Sequence, residues 1–302
     1  MVQSSEVAEG SLMEERLSIT ARRLRDFLSL YRRSWIGMLG LLFILAFIAM
    51  ALIAPYVAPY DPRALVGLPF RKPSAEFPLG TDQVGRDIYS QLIWGSRVSL
   101  MVGLLASFFG VAIGTLIGLV SGYYKGPLDA VLMRITDLFI TVPNLPLMLI
   151  LAAIIGRSMW NIIFVIAFLG WTSTARMVRS QTLSIKERPY VEAARSVGAR
   201  DRQILWRHIL PNVFPLVFAN AIVGIVDAIL AESGLSFLGL GDPTKPSWGL
   251  ILRYANEAGA LATGRWWFII PPGLCIMLVA IGFAFSSYSL DQILNPRLRE
   301  RR

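Results

Sequence analysis

Glu192 to Pro211 reads EAARSVGARDRQILWRHILP, and this stretch decides how the rest of the chain is read. It is charged and helix-prone, about six turns long at helical rise, and stands between two strongly apolar stretches. A loop that only connects has no need of helical periodicity, a glycine in its middle and a proline at its end. Val191, Ala194 and Val197, then Ile204, Leu205 and Ile209, form an apolar stripe. Ala193, Ala194 and Gly198 present almost no side-chain bulk, so another protein can approach closely there. Gly198 lets one short helix turn into the next, and Pro211 opens the following apolar helix, where its missing amide donor costs nothing. An amphipathic helix lying on lipid is the bland alternative, but lipid binding favours bulky apolar residues over small ones.

Working outward, the flanks are those of a membrane protein. Of 302 residues, 55% are hydrophobic and 16% charged, against about 25% charged in soluble domains. Spanning the hydrocarbon layer takes roughly 20 mostly apolar residues. Six stretches qualify or come close: Ile36–Ala58, Arg97–Tyr123, Ala130–Ile155, Asn161–Val178, Pro211–Glu232 and Phe268–Leu290. The first follows some 34 residues of polar sequence, lacks a clear cleavage site and reads as a retained span rather than a signal peptide.

Basic residues set the orientation. Twenty of the 29 Lys and Arg fall on one side: six between Arg16 and Arg33, then Lys125 and Arg134, eight from Arg176 to Arg207, and four from Arg297 to Arg302. Both termini and the Glu192–Pro211 loop are therefore expected in the cytoplasm. This bias accounts for the net charge of +9 without a nucleic-acid partner.

Residues 1–34 carry apolar positions at Leu17, Ala21, Leu24, Leu28 and Tyr31, the spacing of an amphipathic surface helix. The external loop after the first span contains FPLGTDQVGRD, Phe77 to Asp87. There Gly80 and Gly85 suit tight turns, and Thr81, Asp82 and Asp87 can cap amides. In the second span Ala106, Gly110, Gly114, Gly118 and Gly122 recur every four residues. They make a smooth stripe for close helix packing, within the subunit or with a partner.

In the third span Arg134 and Asp137 share a helix face and can neutralise each other. Pro143, Asn144 and Pro146 interrupt the helix in mid-membrane, which is tolerated where protein or a water-filled cavity surrounds the freed backbone. Pathway lining and plain packing both account for the break. Asp227 and Glu232 lie in or at the end of the fifth span. Intramembrane acids point to function by default, and a gating or structural role suits them better than a proton relay. Paired Trp266 and Trp267 before the last span resemble an interfacial aromatic belt. The loop before them, Leu235 to Trp267, is long enough to touch an external partner. Cys275, the single cysteine, reads as a small buried hydrophobe.

EAARSVG, nine residues and then HILP resembles the EAA signature of permease subunits in ATP-binding-cassette (ABC) importers. Glu192, Ala193, Ala194, Gly198, Leu210 and Pro211 match it, and His208 stands where many members carry Ile. FPLGTDQVGRDIYSQLIWGSRVSL, AILAESGLSFLGLGDPTKPSWG and the ending LDQILNPRLR resemble the C-type permease of the dipeptide/oligopeptide/nickel branch. The likeness runs from about Pro78 to Arg299.

The resemblance implies an all-α integral membrane protein with six transmembrane helices, the type I ABC importer permease fold, in a prokaryotic plasma membrane. It divides the chain into a cytoplasmic segment 1–34, a first helix and external loop 35–96, and a permease domain 97–302 whose coupling loop spans about 185–211. It implies a heterodimer with a homologous B-type permease, two cytoplasmic ABC ATPases and an extracellular or periplasmic binding protein. Glu192, Ala193, Ala194, Arg195, Gly198, Ala199 and Asp201 are the expected ATPase contact. Asp137, Pro143, Asn144, Asp227 and Glu232 are candidates for pathway or gate.

The chain itself is expected to be non-enzymatic, with ATP and Mg used by the partner ATPases. It contains no G-xxxx-GK[ST] loop, no HExxH and only one histidine, His208. No cofactor or metal site is expected. Peptide is the expected cargo, with oligosaccharide or nickel on the same machinery as alternatives. A secondary transporter driven through Asp137, Asp227 or Glu232 is the rival of a different class. It calls for inverted repeats, and no convincing repeat relates the two halves.

Overall fold

The computed structural model describes residues 29–294. The expected surface helix therefore lies largely outside the described residues, as does the end of the LDQILNPRLR motif. Among the described residues the chain is helical and forms no strand.

A helical turn at 29–33 leads to Ser34, whose Oγ accepts from the Gly37 amide and caps α1, Trp35–Val57. Helix α2, Ile88–Tyr124, starts nine residues before the expected Arg97. Asp87 sets that start by accepting from the Ser90 amide at 2.8 Å. The preceding turn is ordered: Asp82, fully buried, accepts from the Val84 and Arg86 amides at 2.9 Å and from Gln91 Nε2 at 3.0 Å.

The third apolar stretch is two helices, α3 (Gly126–Thr141) and α4 (Asn144–Ile155), bent by 91° at Val142–Pro143. Proline disfavours helical backbone in the residue before it, and Val142 is extended. Pro146 does not break the helix; it sits in the first turn of α4. Helix α5, Met159–Lys186, then leads into the charged loop. The loop comprises α6 (Pro189–Ser196), α7 (Asp201–Ile204) and a π-helical turn, Leu205–Ile209, which runs straight into α8, Leu210–Phe237. Helix α9, Trp248–Glu257, and α10, Trp266–Leu294, complete the order.

The small-residue stripe fixes the centre of the bundle. Gly110 lies against Ala167 and Gly170, Gly114 against Trp171 and Thr174, Gly118 against Ala175 and Val178, and Gly122 against Arg179 and Thr182. Both sets of numbers rise together, so α2 and α5 are parallel. The end of α2 and the start of α5 are therefore at opposite ends of the bundle, and the segment between them must travel back along it. The bent pair α3–α4 makes that return. Five runs among the described residues are long and apolar enough to cross a membrane: α1, α2, α5, Asp201–Phe237 and α10. The bent pair supplies the sixth.

Helix α8 packs antiparallel to α2, with Ser99 facing Glu232 and Ser107 donating to the Ala221 carbonyl at 2.8 Å. Helices α1 and α10 pair antiparallel through Gly37 on Ser289 and Gly40 on Gly282. Helix α9 was not anticipated within the long external loop. Ser247 caps it, and Trp248 plugs it into the bundle, fully buried, donating from Nε1 to the Leu92 carbonyl at 3.0 Å. Of the expected aromatic belt only Trp266 is exposed; Trp267 is buried.

Candidate functional site

The loop is held by its apolar residues and displays the others. Pro189 opens α6 at a position that needs no amide donor. After Ser196 the helix ends in a Schellman turn: the Gly198 amide bonds to the Arg195 carbonyl at 3.0 Å and Ala199 to Ala194 at 3.1 Å. The turn needs a left-handed residue, and Gly198 has φ +84°. Val191, Ile204 and Ile209 are fully buried, packed with Leu119 and Tyr123 of α2, Val178 and Ile185 of α5, and Val213 of α8. The expected apolar stripe is therefore right at these positions and wrong at Val197, which is 85% exposed. Val197 follows the last turn of α6, where the Schellman reversal takes it off the buried face.

Glu192, Ala193, Arg195, Gly198 and Asp201 are exposed, with Ala194 and Ala199 half-buried behind them. Polar ties strap the loop to the ends of α2 and α5. Tyr123 Oη donates to Asp201 Oδ1 at 2.5 Å, and Lys186 Nζ donates to the Tyr123 carbonyl while lying 4.9 Å from its ring centroid. Lys125 pairs with Glu187 at 3.1 Å. None of these ties has a local sequence signal.

The intramembrane candidates separate into three places. Asp137 does not pair with Arg134. It accepts instead from Arg176 NH2 on α5 at 2.5 Å. An i,i+3 pair is only one option for a carboxylate, and the packing of α3 on α5 supplies a guanidinium from another helix. Asp129, one of the residues not singled out from sequence, is tied more firmly: Arg179 grips both its oxygens at 2.6 Å, and Ser121 donates to it as well.

Asn144 and Asp227 come together on a cavity of about 750 Å³ between α2, α4, α5 and α8. Thr172, Ser173, Thr174 and Asn220 add neutral polar groups to its wall, and Asn220 Nδ2 donates to Thr174 Oγ1 at 2.8 Å. Arg176 also reaches it. Pro143 lies at the α3–α4 break and is not among the lining residues. Ala106 and Gly110 of the stripe form part of the same wall.

Glu232 is elsewhere: 1% exposed, it accepts from Ser236 Oγ at 2.6 Å and Ser99 Oγ at 3.3 Å, and Ser99 Oγ in turn takes the Trp248 amide at 3.3 Å. It joins α2, α8 and α9 at the end of the bundle opposite the charged loop. Among the described residues, no group of three or more His, Cys, Asp or Glu could hold a metal ion.

A six-crossing helical bundle, a polar cavity between its helices and a strapped but displayed helical loop at one end define a multi-pass membrane permease. The chain belongs to the binding-protein-dependent transport system inner membrane component family of ABC importer permeases, whose model matches residues 114–300. Residues 23–72 match the N-terminal TM domain of oligopeptide transport permease C. The chain is 36% identical over 280 residues to the glutathione transport system permease protein GsiD of Pectobacterium atrosepticum, covering 91% of each chain. It is 33% identical over 285 residues to the dipeptide transport system permease protein DppC of Haemophilus influenzae, covering 92% of this chain and 96% of that one. Among solved structures, an inward-facing MetNI methionine ABC transporter shares the fold, with a TM-score of 0.53 and 21% identity over 68% of this chain and 94% of that one. Membership in this family sets aside the secondary transporter.

Proposed function

We propose that this chain is one of two paired permease subunits of an ATP-driven peptide importer in a prokaryotic inner membrane. A homologous B-type permease completes the pathway, an external binding protein delivers cargo, and two cytoplasmic ATPases supply the work. ATP and Mg belong to those ATPases. Glu192, Ala193, Ala194, Arg195, Gly198, Ala199 and Asp201 form the contact with the ATPase.

The observation that carries this reading is the two-faced loop. Its buried residues are locked to α2, α5 and α8, so a displacement applied to its exposed surface, where Ala193 and Gly198 lie beside the exposed Val197 and Trp206, moves three transmembrane helices at once. Peptide cargo is favoured over oligosaccharide by the dipeptide and glutathione relatives and by a cavity whose wall carries polar amides and hydroxyls but no aromatic ring.

Co-purification tests the coupling role. Ala193→Arg, which places a long cation on the exposed surface without touching the buried anchors, is expected to remove the ATPases from the purified complex. If the ATPases stay bound and ATP-driven uptake is unchanged, the coupling role is wrong. For cargo, the cognate binding protein should gain thermal stability with dipeptides. A gain with oligosaccharides and none with peptides would reverse the assignment.

A further inference from the structure

We propose that Asp227 is a binding point for the primary ammonium group of a small zwitterionic cargo crossing the cavity between α2, α4, α5 and α8. The assignment deepens the peptide reading above and rests on it.

The argument is one of charge balance. Among the cavity's lining residues only Arg176 and Asp227 carry charge. The Arg176 guanidinium is already engaged, 2.5 Å from Asp137. Asp227 has no hydrogen bond or ion pair with any described residue, although it sits inside a membrane-crossing helix, about two thirds of the way along Leu210–Phe237. Ionisable groups at such positions are costly and persist where they face a partner or an aqueous path. The cavity therefore carries one uncompensated acid, and a focused negative potential draws in cations and repels anions.

The chemistry around the acid selects the kind of cation. A divalent metal needs several hard or imidazole ligands, and no such group forms among the described residues. An ammonium needs three acceptors. The Asp227 carboxylate supplies the charged one, and the Asn220, Thr174 and Asn144 side chains line the same cavity and offer neutral oxygens to the rest of the cargo and its water. Amide and hydroxyl groups bind such a cargo without holding it, which suits a site that must release it. A volume of about 750 Å³ lies within the usual range for small-molecule pockets of roughly 300–1,000 Å³ and accommodates a di- or tripeptide.

The test uses the complete transporter in proteoliposomes. On a Cys275→Ala background, Val223→Cys places a thiol on the cavity wall one turn before Asp227. Rates of modification by cationic and anionic methanethiosulfonate reagents report the local potential. The cationic reagent is expected to be favoured about tenfold with Asp227 present, falling toward parity with Asp227→Asn. An unchanged ratio overturns the assignment.

Uptake of alanyl-alanine is the second readout. Asp227→Asn should lower the maximal rate about tenfold while ATPase stimulation by the loaded binding protein persists, and Asp227→Glu should restore transport. Full-rate uptake by the Asn variant sinks the ammonium site and leaves the peptide reading intact. Loss of the partner permease from the purified Asn variant overturns it in favour of an ion pair between subunits. A wild-type complex that takes up no alanyl-alanine overturns the peptide reading, and the ammonium site falls with it.

Discussion

Tyr123 and Asp201 lie 78 residues apart in sequence and are joined by a 2.5 Å hydrogen bond from the phenol to the carboxylate. The bond ties the last turn of α2 to the helix that follows Gly198, while Lys186 from the end of α5 holds the Tyr123 carbonyl. Three elements meet at one residue. A hydrogen bond to a charged group is worth about 1.5–3 kcal/mol when shielded; Asp201 is exposed, so about 1 kcal/mol is the expected scale here. Tyr123→Phe should keep the ring on Lys186 and the complex assembled. It should raise the ATP hydrolysed per cargo molecule several-fold in proteoliposomes. Unchanged stoichiometry would show that the bond transmits nothing.

Gly198 has φ +84°, and a Cβ placed there would meet nothing within 4 Å. Within this chain, any cost of substitution is therefore conformational. A left-handed L-residue costs roughly 1–2 kcal/mol, and Asn tolerates the region better than Ala. Gly198→Ala should reduce ATPase co-purification, with Gly198→Asn closer to wild type. Equal behaviour of the two variants would mean that backbone handedness does not govern the contact.

The α2 stripe is uneven in what it tolerates. A Cβ on Gly110 would come no nearer than 3.4 Å to a neighbour, whereas one on Gly118 would stand 2.6 Å from the Ala175 carbonyl oxygen and 2.7 Å from Val178 Cβ. Overpacking costs typically 1–3 kcal/mol. Gly110→Ala is expected to leave the thermal midpoint of the detergent-solubilised complex unchanged, and Gly118→Ala to lower it by several degrees. The reverse order would contradict the packing of α2 on α5.

Glu232 is enclosed by Ser99 and Ser236. Glu232→Gln keeps a group of the same shape, and hydroxyls can rotate to donate or accept. Glu232→Ala takes the acceptor from both serine hydroxyls, at about 1–3 kcal/mol for each buried donor left unpaired, although Ser99 Oγ keeps the Trp248 amide. Limited proteolysis of the loop between α8 and α9 should therefore speed up in the Ala variant and stay near wild type in the Gln variant. Equal protection in all three proteins would rule out a latch at that end of the bundle.

The span positions were legible because hydropathy is a local property, and the loop was legible because its signature is contiguous. Span ends were less so. Arg97 lies nine residues inside α2 rather than at its start, because a helix start is set by its cap, Asp87, and not by the first charge. Helix α9 was missed because its ten residues fall below span length. Its signals, Ser247 ahead of an amphipathic run and a tryptophan at the first position, were present in the sequence.

Residue types and their order along the chain determined that this protein crosses a membrane, which end carries the charged loop, that close helix contacts run along α2, and that the backbone breaks near Pro143. Tertiary structure alone decided the partners. It placed Asp137 on Arg176 rather than Arg134, laid the glycine stripe on α5 rather than on another subunit, buried Glu232 among serines and left Asp227 open to a cavity. Spacing along one helix reveals which residues share a face. What that face meets depends on the register and tilt of helices tens of residues away, so the pairing of acids and the shape of the cavity arise only when the bundle closes.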